Sequence, residues 1–284
     1  MVNSRTTGMV ARSLRGIGRR FGCRMATDGG FDGRFASWDE ACKAACARGE
    51  GYDQQQILDQ VAWATREVIA GRAAFERDSV LFERPDYPYP VLACLLQLAA
   101  GNKGQLSVLD FGGALGSMYH QCRPFLRGLE RLRWRVVEQP HFVAVGRADF
   151  QTDELQFFTT VAECLSVEAP DVALFSGVLQ YLEEPQIPVD AVCRAGVAVL
   201  VDRTPMVATE MDVFTVQTVP ASIYAASLPF RAFGTKSLQR LIPADYVRVA
   251  DFDALDADTR VGAVNLQFKG FLAKRLETYE LRNH

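Results

Sequence analysis

From residue 105 onward, short β-branched runs alternate with helical stretches: Leu106–Phe111, Trp134–Glu138, Leu155–Phe158, Val172–Ser176 and Val197–Asp202. That rhythm predicts βαβ units and a parallel sheet, because parallel strands need crossover connections and helices supply them. The end of the chain differs. Tyr246–Phe252 and Asn265–Leu272 alternate in period two around a polar connection, as an antiparallel pair would. Neither an internal repeat nor a low-complexity stretch interrupts the pattern.

The segment before residue 105 reads as helices. Ser37 with Glu40 three residues on forms a capping box for a helix through Trp38, Ala41 and Ala45. Asp53 is placed to cap a second helix, whose Ile57, Val61, Ala64 and Val68 share one apolar face. A turn at Pro85, Pro88 and Pro90 leads into an apolar helix, Val91 to Ala100, with Gly101 as its stop. The expectation is an all-helical lead-in over residues 31–103. It either covers the active site or makes a dimer interface. Residues 1–30 carry Arg5, Arg12, Arg15, Arg19, Arg20 and Arg24 beside Val10, Leu14, Ile17 and Phe21 at helical spacing. They read as a flexible leader, with Met25 as an alternative start, or as a basic amphipathic helix at a membrane surface.

A net charge of -3 argues against nucleic acid as the main partner. No apolar run approaches the roughly 20 residues of a membrane span, and no signal-peptide pattern opens the chain. The seven cysteines form no CxxC pair, so the expectation is reduced thiols in a cytoplasmic protein and no metal site.

The chemistry concentrates in Val108-Leu109-Asp110-Phe111-Gly112-Gly113-Ala114-Leu115-Gly116. A strand ends in an acid, and a glycine-rich turn lets backbone amides approach a ligand before a helix begins. This stretch resembles motif I of class I S-adenosylmethionine-dependent methyltransferases. Asp110, Gly112 and Gly116 match the motif, Gly113 lies within it, and Ala114 stands where the middle glycine is usual. The turn fits a dinucleotide pattern less well, so NAD ranks below S-adenosylmethionine. Glu138 ends the next strand about twenty residues on, where Rossmann-like sites place an acid on ribose hydroxyls; Gln139 follows it.

A third element, Asp171 to Pro185, resembles the fourth-strand motif of the same enzymes, with Gln180 and Tyr181 where histidines often stand. The resemblance implies that Ser176, Gly177, Gln180 and Tyr181 border donor and acceptor; the other reading makes Tyr181 a packing residue. More narrowly, the chain is similar to a group of bacterial methyltransferases, some from surface-polysaccharide or secondary-metabolite gene clusters. The likeness runs through Phe35 to Ala41, Phe111 to Gly116, Val137-Glu138-Gln139, Ser176 to Tyr181, Asp202-Arg203-Thr204-Pro205 and, faintly, Pro220 to Tyr224.

The resemblance thus implies a Rossmann-like α/β fold with a seven-stranded sheet over residues 104–284. S-adenosylmethionine would be the donor, S-adenosylhomocysteine the product, and a small molecule or sugar the acceptor, methylated on oxygen. The alternative is an inactive methyltransferase-like scaffold that binds a partner. At the end of the fifth strand, Asp202 is a candidate proton acceptor, and Arg203 a candidate bidentate holder of an acceptor carboxylate or phosphate. The other reading of that pair is a structural Asp202–Arg203 ion network. Among the histidines, His141 sits nearer the expected adenosine and His284 is the last residue. His120 is a possible base, although its position suits a surface or capping histidine. An apolar, aromatic insertion around 205–235 suits a lid, with Tyr224 touching substrate.

Overall fold

The computed structural model describes residues 30–276. The basic segment, Met25 and His284 therefore lie outside the described residues. In chain order the lead-in holds β1 (Gly30–Phe35), α1 (Trp38–Arg48), α2 (Gln55–Ile69), β2 (Phe75–Arg77), β3 (Val80–Phe82) and α3 (Tyr89–Gly101). It is not all-helical as expected. β2 and β3 form a hairpin whose turn residues Asp78 and Ser79 both have positive φ, 50° and 66°. That is the backbone sense matching the twist of paired strands, and Asp-Ser is a weak sequence cue for it.

Helix starts and stops also differ in part from expectation. Ser37 caps α1 by accepting from the Glu40 N–H at 3.2 Å, while the Glu40 carboxylate reaches back to the Ala36 N–H at 3.0 Å. Asp53 caps nothing: α2 starts after Gln54 with no side-chain cap. Gly101 is the last residue of α3 rather than its stop. The chain reverses just beyond, at Lys103 and Gly104, with φ of 54° and 78°.

The sheet segment follows as β4 (Gln105–Phe111), α4 (Ser117–Leu126), β5 (Arg131–Val137), α5 (Pro140–Val145), β6 (Leu155–Phe158), α6 (Val161–Val167), β7 (Val172–Ser176), α7 (Gln186–Arg194) and β8 (Ala198–Met206). Then come β9 (Val213–Val219), β10 (Ala226–Ala232), α8 (Thr235–Leu241), β11 (Tyr246–Asp253), β12 (Thr259–Val261) and β13 (Val264–Arg275). The main sheet runs β11-β13-β8-β7-β4-β5-β6, with β12 joining at β13. β4 to β8 are parallel, and β11 and β13 are the antiparallel pair at the end. The five parallel strands and the terminal antiparallel pair give the Rossmann-like arrangement expected from the sequence, and β12 adds an eighth strand to the seven expected.

Strand order reverses between β4 and β7. The chain winds outward through β5 and β6, then returns to the other side of β4. Open α/β sheets form a crevice at the carboxyl ends of the strands flanking such a reversal. Val108, Leu109, Val172, Ala173 and Leu174 are fully buried, so helices cover both faces of these central strands.

β9 and β10 form a hairpin that β1 extends, giving a separate three-stranded sheet. The segment around 205–235 is thus built largely of strands, and the first described residues of the lead-in pair with it. The apolar face of α2 is spent within the chain. Ile57, Leu58 and Val61 are buried in one core with Leu95 of α3, Leu115 and Tyr119. Among the described residues no helix is long and apolar enough to cross a membrane.

Candidate functional site

Asp110 is the last residue but one of β4 and is buried, and the Trp134 Nε1–H donates to its Oδ2 at 2.9 Å. Burial pushes its carboxyl up to about 7, only partly offset by that hydrogen bond. The glycine turn wraps this group: a Cβ on Gly113 would lie 2.5 Å from the Asp110 Cγ. Gly112 has φ of 72°, and a Cβ there would lie 2.5 Å from Val178 Cγ2 across the β4–β7 seam. Ala114 sits at φ of 50°, so the residue replacing the middle glycine adopts the conformation a glycine would hold most easily.

Glu138 follows β5 and meets this turn. Burial raises its carboxyl, and backbone N–H groups of Gln139 and Ala114 counter the rise. The two sequence elements, acid-glycine turn and strand-end acid, are joined in space where the Gly112 N–H donates to the Val137 carbonyl at 2.9 Å. Gln139 itself is exposed and contributes its backbone N–H to Glu138.

On the other side of the seam, Ser176 Oγ–H donates to Asp202 Oδ2 at 3.0 Å. Asp202 is 3% exposed, and burial raises its carboxyl, with the nearby Arg203 guanidinium and the Ser176 hydrogen bond working against the rise. Gly177 takes φ of 66° beside the Arg203 side chain. Gln180 is buried; its Nε2–H donates to the Arg203 carbonyl at 3.4 Å, and its Oε1 has no hydrogen-bond partner. The Tyr181 hydroxyl donates to Gln217 Oε1 of β9 at 2.6 Å. Burial raises the phenol well above its ordinary range.

Arg203 does sit in a structural ion network, but the acids it bonds are Asp256 and Asp78 rather than Asp202. Its Nε–H and one Nη–H donate to the two Asp256 carboxylate oxygens at 2.9 and 3.2 Å, and the same Nη reaches Asp78 in the β2–β3 turn at 3.1 Å. The fork assigned to an acceptor anion is occupied by two acids of the chain itself. At φ of 52° the Arg203 backbone is also in the left-handed region, a costly conformation for a residue with a Cβ.

His120 is not the surface or capping group its position suggested. Its Nε2 is buried without a hydrogen-bond partner, and burial lowers its pKa to about 4, so it is neutral near pH 7. His141 lies with its Nε2 3.5 Å from Asp53. Tyr224, in the β9–β10 connection, is buried edge-on to Tyr52 with ring centroids 6.2 Å apart. Tyr52 in turn stacks on Phe142 of α5 at 5.6 Å.

Sequence reasoning missed Glu76, Asp78, Asp256 and Tyr52. Glu76 is 5% exposed, receives the Ser117 hydroxyl and, at 3.1 Å, the Ser79 N–H. Burial raises its carboxyl to about 7. The signal available in the sequence was Phe75-Glu76-Arg77-Asp78-Ser79, in which charged residues interrupt an otherwise apolar stretch ahead of the proline-rich turn.

No family model matches this chain, and no curated protein matches it. Among solved structures it is similar to the N-terminal domain of EvdMO1, crystallised in the presence of SAH and D-fucose. The identity there is 14% and the TM-score 0.44, over 74% of this chain and 96% of that one. It is also similar to an S-adenosylmethionine-dependent methyltransferase from Clostridium acetobutylicum, at 9% identity and TM-score 0.44, over 76% and 98% of the two chains. A third is CalS10, an amino pentose methyltransferase from Micromonospora echinaspora, at 12% identity and TM-score 0.39, over 67% and 92%. At these distances the likenesses carry no functional inference, which rests instead on the residues of the chain.

Proposed function

We propose that the protein transfers a methyl group from S-adenosylmethionine to an oxygen of a small molecule or sugar. The observation that carries this reading is the junction of the glycine turn with the end of β5, where the Gly112 N–H donates to the Val137 carbonyl at 2.9 Å next to Glu138, beside the reversal of strand order. The donor is a cation with ribose hydroxyls and an amino-acid end. In this reading the strand-end acid Glu138, the buried acid Glu76 and the unpartnered Gln180 Oε1 meet those groups. When bound, the donor supplies an electrophilic methyl group, and displacement at that carbon depends chiefly on alignment.

In this reading Glu138 accepts from the ribose, and Gly112, Gly113, Ala114 and Gly116 let the backbone come close. Ser176, Gly177 and Gln180 line the middle of the crevice. Tyr181, fixed by Gln217, and Tyr224 form the wall on the acceptor side. Asp202 takes the proton of the acceptor hydroxyl, since a carboxyl raised by burial is the better proton acceptor near neutral pH. His120, with its pKa lowered to about 4, is too weak a base for that task. The engagement of Arg203 with Asp256 and Asp78 favours an uncharged acceptor over a carboxylate or phosphate.

Calorimetric titration with S-adenosylhomocysteine, with NADH alongside, tests the reading. Saturable binding of the first alone, lost in Asp110→Ala, is the expected result and licenses a screen of hydroxylated acceptors. Binding of NADH instead, or of neither ligand at millimolar concentration, would overturn it.

A further inference from the structure

The lead-in hairpin carries an acid that neither the glycine turn nor the strand-end acids explain. β2 packs against the start of α4, the helix that leaves the glycine turn, and Ser117 of that helix donates to Glu76 one residue beyond Gly116. Glu76 is buried, yet among the described residues no lysine or arginine forms an ion pair with it. Arg203, whose charge counters the rise of the Glu76 carboxyl, is already shared between Asp256 and Asp78. A buried carboxylate without a counter-charge costs stability, and a hydroxyl and one backbone N–H only partly offset that cost.

A second observation locates the space this acid faces. The hairpin that carries Glu76 lies between the glycine turn and the end of β8, because it is bonded to both. Ser117 ties Glu76 to the start of α4 just past the glycine turn, the Gly112 N–H of that turn donates to the Val137 carbonyl next to Glu138, and Asp78 of the hairpin reaches Arg203 of β8. An elongated ligand with its ribose at Glu138 would present its other end toward the hairpin.

We propose that Glu76 receives the α-ammonium group of the donor's amino-acid end, a role that rests on the donor reading above. The ligand supplies the counter-charge that the folded chain withholds. The rise of the Glu76 carboxyl to about 7 agrees with an acid lacking a cation nearby. The hairpin thereby couples the lead-in to donor binding, because Asp78 in the same turn is tied to Arg203 on the far side of the seam.

The test compares S-adenosylhomocysteine with 5′-methylthioadenosine, which keeps the adenosine and the sulfur but lacks the amino-acid end. Calorimetric affinities are measured on the full chain and on Glu76→Gln. The variant is expected to weaken S-adenosylhomocysteine by about tenfold or more, the effect of losing a charged hydrogen bond, and to leave 5′-methylthioadenosine within about twofold. Equal weakening of both ligands makes Glu76 a structural residue and overturns the proposal, as does unchanged binding of both. Should Glu76→Gln fail to fold, the deaminated analogue of S-adenosylhomocysteine on the unaltered protein decides. It must bind about tenfold more weakly than the parent, and equal affinity overturns the assignment. Failure of the unaltered chain to bind either adenosine ligand would instead sink the donor reading itself.

Discussion

Asp110 and Trp134 meet across 24 residues of chain, whereas Arg203 and Asp78 meet across 125. The half of the site built on β4 and β5 is held by such near neighbours in sequence, an acid, the turn it shapes and the strand beside it. The half built on β7 and β8 is held by contacts among distant segments: Gln180 with Arg203, Tyr181 with Gln217 of β9, and Arg203 with Asp256 and Asp78. Local geometry alone can preform the first half. The second exists only once the lead-in, the small sheet and the β11–β12 connection have docked, so its order depends on global folding.

The largest expected effect breaks the long-range half. Arg203→Met leaves Asp256, itself largely buried, without its cation and should cost about 3 kcal/mol in denaturant unfolding. Affinity for 5′-methylthioadenosine should hold. A loss below about 1 kcal/mol, or a parallel loss of that affinity, would show that the halves are not separable in this way.

A smaller effect probes the local half through pH. The Asp110 carboxyl is raised to about 7 in the folded chain, above its ordinary range. Its contribution to stability is therefore complete at low pH, below the ordinary carboxylate range, and is lost as pH rises through about 7. The expected decline between about pH 5 and 7 is about 2 kcal/mol. Asp110→Asn should flatten that decline; an unchanged pH profile would move the titration to Glu76 or Glu138, which are raised for the same reason.

The smallest effect sharpens the comparison at one bond. Tyr181→Phe removes the hydroxyl that donates to Gln217 and should cost about 1 kcal/mol. Because that bond joins β9 to the loop after β7, the variant should speed amide exchange in β9 and leave β5 unaffected. Equal acceleration in both strands would contradict the division.

The same division explains what could be read in advance. Val172–Ser176 and Leu155–Phe158 have the bounds their apolar runs indicate, and the antiparallel pair near the end follows its period-two pattern. β8 continues to Met206, past the expected end at Asp202, because β13 pairs with it as far as Gln267 opposite Met206. No local signal announces that extension, and Pro205 argues against it. β1 was hidden by Gly30 and Gly33 in a short stretch, and it is a strand only because β9 lies beside it.

The sequence by itself determined the parallel sheet, the glycine turn with Asp110 before it, and Glu138 after the next strand. Those features arise from periodicity and backbone freedom within short windows. Only the tertiary structure decided that Glu76 is a buried acid at the start of α4, that Arg203 is held by Asp256 and Asp78, and that His120 is neutral. Each of those outcomes depends on which distant groups exclude water from a charge, and that is fixed by packing rather than by neighbours in the chain.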